Sequence, residues 1–143
     1  MGSGEDLRVE DYRNLAEFRR QIRQFVSFSE GVARQSGIEP KQHQLLLALK
    51  GLPENVRPTI GELASRLFIK HHSTVELVNR LADAGFVVRI QGKDDRREVL
   101  IRMTPAGAAL LRKLSLVHRL ELERSGPALA KALHSVIRNA LKT

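Results

Sequence analysis

The sequence predicts a mainly α-helical protein in which a single β-hairpin interrupts a series of helices. Three observations support this fold class. Apolar residues recur at helical spacing along most of the 143 residues. Aromatic residues make up only 4% of the chain, so the core consists of aliphatic side chains, which is typical of helix packing. Two short stretches with strand-forming residues, 86–90 and 99–103, flank a charged segment.

Two helices are predicted in the first third of the chain. Apolar residues begin to recur every three or four positions at Leu15, and Gly37 marks the end of this first helix. A second helix opens at residues 39–41, and Gly51 closes it. It contains five consecutive apolar residues, 45–49. Because such a helix is apolar on most sides, we expect it to be buried on most sides.

A short third helix is predicted after Thr59. Thr59 and Glu62 have the spacing of a capping box, in which the hydroxyl and the carboxylate satisfy the first free amides of a helix. We expect this helix to bury four apolar side chains: Ile60, Leu63, Ala64 and Leu67. Residues 68–70 interrupt the pattern before the next helix begins.

The fourth helix is predicted from His71 to Ala84, with Gly85 as its stop. At 100° per residue, four residues form an apolar side: Val75, Val78, Leu81 and Ala82. The opposite side carries Ser73, Glu76, Leu77 and Arg80, with His72 and Asp83 at its edge. A helix-turn-helix that reads DNA needs this arrangement, because an apolar back fixes the helix and a polar front enters the major groove.

The two predicted strands and the charged tip between them, residues 91–98, form a hairpin in which Gly92 favours the turn. A hairpin that directly follows a helix pair is typical of a wing. The central part of the chain is therefore predicted to be a winged helix-turn-helix.

The remaining residues are predicted to form two more helices. Thr104 and Pro105 start the first of them, because a hydroxyl suits the cap and proline suits the first helical position. This helix is expected to end near Ser125, where Gly126 and Pro127 break it before a last amphipathic helix. The predicted element order is α-α-α-α-β-β-α-α.

The chain length suits a single domain, residues 1–143, with a central DNA-binding lobe at 40–105. The terminal helices, within 1–36 and 106–143, carry more apolar surface than the small central core can cover. We therefore expect these helices to pair with a second copy in a closed two-fold dimer. The alternative is a monomeric bundle that covers its own ends.

The charge of the chain favours a polyanionic partner. The formal net charge is +8 and the sequence pI is about 10.6, and nucleic acid is the commonest polyanion. The net charge is zero over residues 1–56, +3 over 57–105 and +5 over 106–143. The largest excess of positive charge thus lies on the C-terminal helices rather than on the predicted helix-turn-helix and wing. It either approaches the phosphates in the dimer or keeps the protein soluble, and we favour solubility.

Five residues at the start and on the polar side of the fourth helix are candidate DNA contacts. Arg80 can reach guanine or a phosphate, and Ser73 suits a phosphate or a base edge. Glu76 can accept from a cytosine amine, but it stands one turn before Arg80, so an intrahelical ion pair is the alternative. His72 is placed to meet a phosphate, and Lys70 directly precedes the helix. The alternative for Arg80 is a solvated helix face.

The wing tip supplies the other candidate contacts. Lys93, Arg96 and Arg97 lie between the strands, with two acidic residues beside them. A wing lies over the minor groove, where the concentrated negative potential attracts a guanidinium. Asp95 is expected to orient Arg97, two residues later, through a local pair. The alternative is a tip whose charges pair only with one another.

Several other classes of function are disfavoured. There is no cysteine, which excludes a disulfide, a thiolate zinc site and a thiol redox sensor within this chain. His71 and His72 diverge by about 100° on a helix and cannot chelate one ion by themselves. No phosphate loop and no linked catalytic residues appear, so neither an enzyme nor a cofactor site is predicted. No apolar run approaches the roughly 18 residues that span a bilayer, and we expect a cytoplasmic protein.

Several short segments together resemble the MarR family of bacterial transcription regulators. They are Ile-Gly-Glu-Leu-Ala at 60–64, residues 81–89, Asp-Arg-Arg at 95–97, Met-Thr-Pro-Ala-Gly at 103–107 and the helix entry at 37–42. The third is similar to the family's Asp-x-Arg wing, and the fourth to the Leu-Thr-x-x-Gly start of its long dimerising helix. One departure is Met103 in place of the usual leucine.

The resemblance implies a homodimeric repressor that binds a pseudo-palindromic operator in double-stranded DNA. It implies that Arg97 is the wing arginine, that Asp95 positions it, and that the residues around Ser73 and Arg80 read the major groove. It also implies release from DNA by a small anionic or phenolic effector. The alternative function is a winged helix that binds another protein and does not recognise a DNA sequence.

Overall fold

The computed structural model describes residues 6–142, with side chains through residue 138. Within this range the chain forms five helices and one antiparallel hairpin, which confirms the mainly helical winged fold predicted from the sequence. The elements are α1 (Val9–Gln35), α2 (Pro40–Lys50), α3 (Ile60–Leu67), α4 (His71–Asp83), β1 (Val87–Gln91), β2 (Val99–Met103) and α5 (Pro105–Lys142).

The chain forms two compact units. One consists of the described parts of Met1–Val32 and Leu116–Thr143, and the other is Ala33–Ser115. The second unit contains α2, α3, α4 and the hairpin, and the lobe predicted at 40–105 lies within it. The assignment of the terminal helices to dimerisation stays a prediction at this point.

The core of the second unit is aliphatic. Its fully buried apolar side chains come from every element of the unit: Leu45, Leu46, Leu63, Val78, Leu81, Val87, Ile101 and Leu114. Each stabilises the fold by about 1.5–3 kcal/mol relative to an exposed position. The expectation that α2 is buried on most sides is wrong, because Leu47 points to solvent and is 51% exposed. No helix among the described residues has the length and apolar character to cross a membrane.

The hairpin has a third segment at its edge. β1 and β2 pair in register from Val87↔Met103 to Gln91↔Val99. The loop before α3 extends this sheet, since Thr59 bridges Leu100 and the Ile101 N–H donates to Pro58 O at 2.9 Å.

An ion pair between Arg57 and Glu98 joins the same loop to the base of the wing. Sequence patterning predicts the hairpin but not these long-range contacts. They attach the wing to the start of α3.

The helix starts use the predicted caps with one difference. The Glu62 N–H donates to Thr59 Oγ1 at 3.1 Å, as the capping box requires. The second half of the box is not formed, because the Glu62 carboxylate instead accepts from Arg66 Nε at 3.0 Å. The Thr59 N–H donates to Arg57 O at 2.9 Å. A reciprocal capping box is present on α2, between Glu39 and Gln42.

The buried side of α4 differs from the predicted one. Thr74, Leu77, Val78 and Leu81 are the buried residues, at the spacing i, i+3, i+4 and i+7. The placement of Leu77 on the polar front is therefore wrong. Thr74 tolerates complete burial because its hydroxyl donates to Lys70 O, one turn earlier, at 3.0 Å.

The predicted break in the C-terminal helix is also wrong. α5 continues through Pro127 without interruption. A proline normally excludes the α conformation from the preceding residue, since its ring clashes with the Cβ of that residue. The preceding residue here is Gly126, which has no Cβ, so this part of the clash is absent. The missing N–H of Pro127 and the clash of its ring with the carbonyl one turn earlier remain as costs.

Candidate nucleic-acid interface

The beginning of α4 is an exposed cationic surface. Lys70 is the N-cap, in an extended conformation with φ −70° and ψ 153°, and its side chain makes no capping bond. His71 and His72 follow in the first turn and are exposed, and Ser73 is half-buried. No acidic residue occupies this turn. Because free backbone N–H groups and the helix dipole attract anions, this end of α4 suits a phosphate.

Glu76 and Arg80 continue the same helix as separate exposed side chains. They are one turn apart, yet among the side chains described through residue 138 they form no ion pair with each other. The intrahelical pair considered from the sequence is therefore not the arrangement in this structure. The Arg80 guanidinium is free to meet a base edge or a phosphate.

A side-chain hydrogen bond links α4 to the hairpin. The guanidinium of Arg89, on β1, donates to Asn79 Oδ1 on α4. Sequence reasoning missed both residues, since their contact depends on how the strand packs beside the helix. The bond adds a contact between β1 and the exposed side of α4.

The start of α5 is fitted closely to the turn after α4. Thr104 Oγ1 donates to Gly85 O at 2.6 Å and accepts from the Gly107 N–H at 3.1 Å. This confirms the predicted cap at Thr104. A Cβ on Gly107 would lie 2.2 Å from Phe86 O, so only glycine fits there. The connection from α4 to β1 is thereby held against α5.

The wing tip is a hydrogen-bonded loop. The Gly92 N–H donates to Glu98 O at 2.8 Å, the Glu98 N–H donates to Asp95 O at 3.0 Å, and Gln91 Nε2 donates to Arg96 O at 2.7 Å. A Cβ on Gly92 would lie 2.7 Å from Asp95 O, so the loop closes this tightly only around a glycine. Sequence analysis recognised the turn residue but not this close approach.

Asp95 and Arg97 form the local pair that their spacing predicts. Asp95 Oδ1 accepts from the Arg97 backbone N–H at 3.0 Å and from Arg97 Nε at 3.4 Å. The Arg97 side chain is 92% exposed. Only Nε is used in the pair, so the two terminal nitrogens remain available to a ligand among the contacts described here. Lys93 and Arg96 are exposed on the same loop.

The second unit therefore presents two sets of candidate contacts, all exposed except Ser73, which is half-buried. One set lies at the start and on the front of α4: Lys70, His72, Ser73, Glu76 and Arg80. The other lies on the wing tip: Lys93, Asp95, Arg96 and Arg97. Among residues 6–138, no group of three or more histidine, aspartate or glutamate side chains is placed to hold a metal ion.

Comparisons with known proteins agree with this architecture. Residues 36–98 match the model of the MarR family. A putative transcriptional regulatory protein for the hcr operon of Thauera aromatica is 28% identical over 96 residues. That match covers 67% of the chain but only 56% of the relative. The chain thus spans little more than half the length of this curated relative.

Two solved structures have the same fold. A cysteine-to-serine mutant of Escherichia coli MarR in complex with operator DNA gives a TM-score of 0.62 at 21% identity, covering 79% of the chain and 76% of MarR. Bordetella bronchiseptica BpsR, whose DNA binding is regulated by 6-hydroxynicotinic acid, gives 0.63 at 20% identity, covering 87% and 90%. The predicted resemblance is therefore confirmed for residues 36–98: this part of the chain, which holds most of the winged helix-turn-helix, matches the MarR family of transcription regulators.

Proposed function

We propose that the protein is a sequence-specific regulator that binds double-stranded DNA as a homodimer, on a pseudo-palindromic operator. The observation that carries this proposal is the Arg97 guanidinium at the wing tip, which is exposed and oriented by Asp95. A guanidinium held in this way suits the narrow, negative minor groove beside the site that α4 reads.

The start and front of α4 support the major-groove part of the proposal. Lys70 and His72 meet phosphates, while Ser73 and Arg80 are placed to reach base edges from the same helix. Among the side chains described through residue 138, Arg80 has no ion-pair partner that must be displaced before it binds. The family match over residues 36–98 and the operator complex of E. coli MarR add to this support.

The first unit supports the homodimer. Its two helices expose apolar side chains, of which Leu120, at 67%, and Val9, at 62%, are the most accessible. The others in this unit are Leu7, Tyr12, Leu15, Val26, Leu116, Val117, Leu122, Leu133 and Ile137. An apolar surface of this kind is typical of a face that a second copy covers. A dimer would place two readers about one helical turn of DNA apart, roughly 34 Å.

We further propose that the protein represses transcription until a small anionic or phenolic molecule releases it. This part rests on the family resemblance and on BpsR, which 6-hydroxynicotinic acid regulates. Its test is a competition experiment in which aromatic carboxylates are added to the protein–operator complex. A panel that leaves the complex intact at millimolar concentration would contradict effector release by this class of compound.

The DNA proposal is tested by fluorescence anisotropy with duplexes selected by the wild-type protein from a random pool. We expect selection of an inverted repeat and binding that weakens steeply with salt. Arg97→Ala should weaken binding by about 1–3 kcal/mol and reduce the salt slope by about 1. Lys50→Ala is the charge-matched control, since Lys50 is exposed at the end of α2, outside the candidate interface.

Two results would count against the DNA proposal. One is selection that enriches no sequence over random duplex at moderate salt. The other is unchanged regulation after Arg80→Ala and Arg97→Ala are combined, which would favour the alternative of a winged helix that binds another protein. For the dimer, light scattering that shows a single subunit at working concentration would be the contrary result.

A further inference from the structure

Three helices of this chain end in the same hydrogen-bonded geometry. At the end of α1, the Gly37 N–H donates to Arg34 O at 3.1 Å and the Ile38 N–H to Ala33 O at 3.2 Å. This pair of bonds defines a Schellman motif, in which the first residue after the helix cap adopts a left-handed conformation. Gly37 has φ +87°, as the motif requires.

The other two ends repeat the pattern. After α4, the Gly85 N–H donates to Ala82 O at 3.0 Å, the Phe86 N–H donates to Leu81 O at 2.9 Å, and Gly85 has φ +83°. After α3, the Phe68 N–H donates to Ser65 O at 3.3 Å and the Ile69 N–H to Ala64 O at 3.2 Å. Phe68 has φ +56° and ψ +41°.

Phe68 is therefore in the position that glycine holds at the other two ends. It is the one non-glycine residue with a positive φ among those the structure describes. A bulky side chain is disfavoured in this conformation because its Cβ approaches the backbone, whereas glycine adopts it without strain. The backbone conformation at residue 68 would favour glycine and gives no reason for the phenylalanine that is present.

Burial does not explain the phenylalanine either. Phe68 is 95% exposed, the highest value among the large hydrophobic residues described. The ring gains nothing from the core of the second unit in return for the strained backbone. Strained residues persist mainly at functional sites, where another interaction uses them.

The location of Phe68 indicates what that interaction is. Phe68 lies two residues before Lys70, the N-cap of α4, so about 7 Å of chain separates their Cα atoms at most. The intervening Ile69 is half-buried, and Lys70, His71 and His72 are exposed. The ring therefore stands beside the cationic start of the helix that is proposed to enter the major groove.

We propose that the Phe68 ring is a DNA-contacting residue that packs against an apolar part of the duplex beside the α4 site. This inference rests on the proposed function. Two apolar groups of DNA are available to such a ring at the edge of the major groove, the deoxyribose carbons and the thymine methyl. The strained backbone presents the ring to DNA, at a cost to the free protein.

The test uses the whole chain and separates stability from binding. Phe68→Gly and Phe68→Asn both remove the ring and suit the left-handed conformation, whereas Phe68→Tyr keeps the ring. Melting temperature is followed by circular dichroism, and affinity by anisotropy on the duplex selected by the wild type. We expect the glycine and asparagine variants to melt about 2–4 °C higher and to bind about tenfold more weakly. The tyrosine variant should bind within about twofold of the wild type.

Three outcomes would overturn the inference. If Phe68→Gly binds the selected duplex as tightly as the wild type, the ring does not contact DNA. If it binds more weakly but also melts several degrees lower, the ring supports the fold instead. If the wild type selects no duplex at all, the proposed function fails first and this inference fails with it, so the two failures are distinguishable.

A modified duplex identifies the apolar group. Replacing the thymines of the selected duplex with uracil removes the methyl groups and keeps the sugars. If the Phe68 ring packs on a methyl, the wild type loses more affinity for the modified duplex than Phe68→Gly does. If it packs on deoxyribose, the two proteins lose the same amount.

Discussion

Asp95 holds Arg97 at the tip of the wing through two bonds to one carboxylate oxygen, 3.0 Å from the backbone N–H and 3.4 Å from Nε. The first bond shapes the loop and the second aims the side chain. Because both residues are exposed, the pair contributes little to the stability of the fold. Its effect is expected on the geometry of binding.

We predict that Asp95→Ala lowers specific affinity and raises non-specific affinity. Arg97 loses the partner that orients it, and the phosphates lose a nearby negative charge that repels them. The specificity ratio, measured by anisotropy on selected and random duplexes at one salt concentration, should therefore fall. In an Arg97→Ala background the same change should no longer lower specific affinity, because no guanidinium remains for Asp95 to orient. An unchanged ratio in Asp95→Ala would contradict a positioning role.

We predict opposite effects on stability for alanine at two helical glycines. Gly107→Ala places a Cβ 2.2 Å from Phe86 O, and the resulting shift should cost about 1–3 kcal/mol of the free energy of unfolding. Gly61→Ala is the matched control, because its Cβ would meet nothing nearer than 4.0 Å and alanine favours the helix by about 0.5–1 kcal/mol. Urea titration compares the two. Equal effects would mean that the Gly107 contact is not rigid.

We predict that Pro127→Ala stabilises the protein by about 1–3 kcal/mol. α5 is one helix through this position, so alanine restores a helical hydrogen bond that proline lacks. If the chain instead broke into two helices here, the substitution would remove a favourable helix start and stability would fall. Thermal unfolding followed by circular dichroism decides between these results.

We predict an unusual titration for Glu17 on α1. Hydrogen bonds from Arg20 and Gln21 lower the pKa of this carboxyl from 4.5 to about 2. The ionised carboxylate is therefore favoured in the folded state. Its contribution to stability is complete above pH 4.5 and is lost as the pH falls towards 2. Carboxyl NMR should show this low midpoint, and Arg20→Ala should return it towards 4.5. A midpoint near 4.5 in the wild type would contradict the pair.

The sequence predicts the element order well because capping residues, and the glycines and prolines at the ends of elements, are local signals. Thr104 and Pro105 start α5 as expected, and β2 has the predicted bounds. The errors arise where a neighbouring group changes the structural preference of a residue. Gly126 makes Pro127 tolerable within a helix, and the hydroxyl of Thr74 is satisfied by its own helix, so a polar residue lies in the core. Hydrophobic periodicity registers neither effect.

The candidate DNA contacts are predictable from residue type and position, whereas the tertiary contacts and backbone conformations around them are not. Arg80 and Arg97 follow from the helix-and-hairpin pattern. Arg89 and Asn79 are ten residues apart on different elements, and their hydrogen bond exists only once the strand lies beside the helix. The left-handed conformation of Phe68 is equally hidden, because the sequence shows an ordinary helix end there without the glycine that would indicate it.

The edge segment that joins the hairpin to the start of α3 would limit how the wing adapts to different operators if the protein binds DNA as proposed. Thr59 bridges Leu100 and Arg57 pairs with Glu98, so the loop before α3 contacts β2 and the residue that precedes it at the edge of the tip. If the wing binds the minor groove as proposed, residues 92–97 would accommodate most of the variation in groove width. We therefore expect substitutions that change the preferred groove width to lie mostly at residues 92–97. Substitutions within β1 and β2 should mainly affect folding.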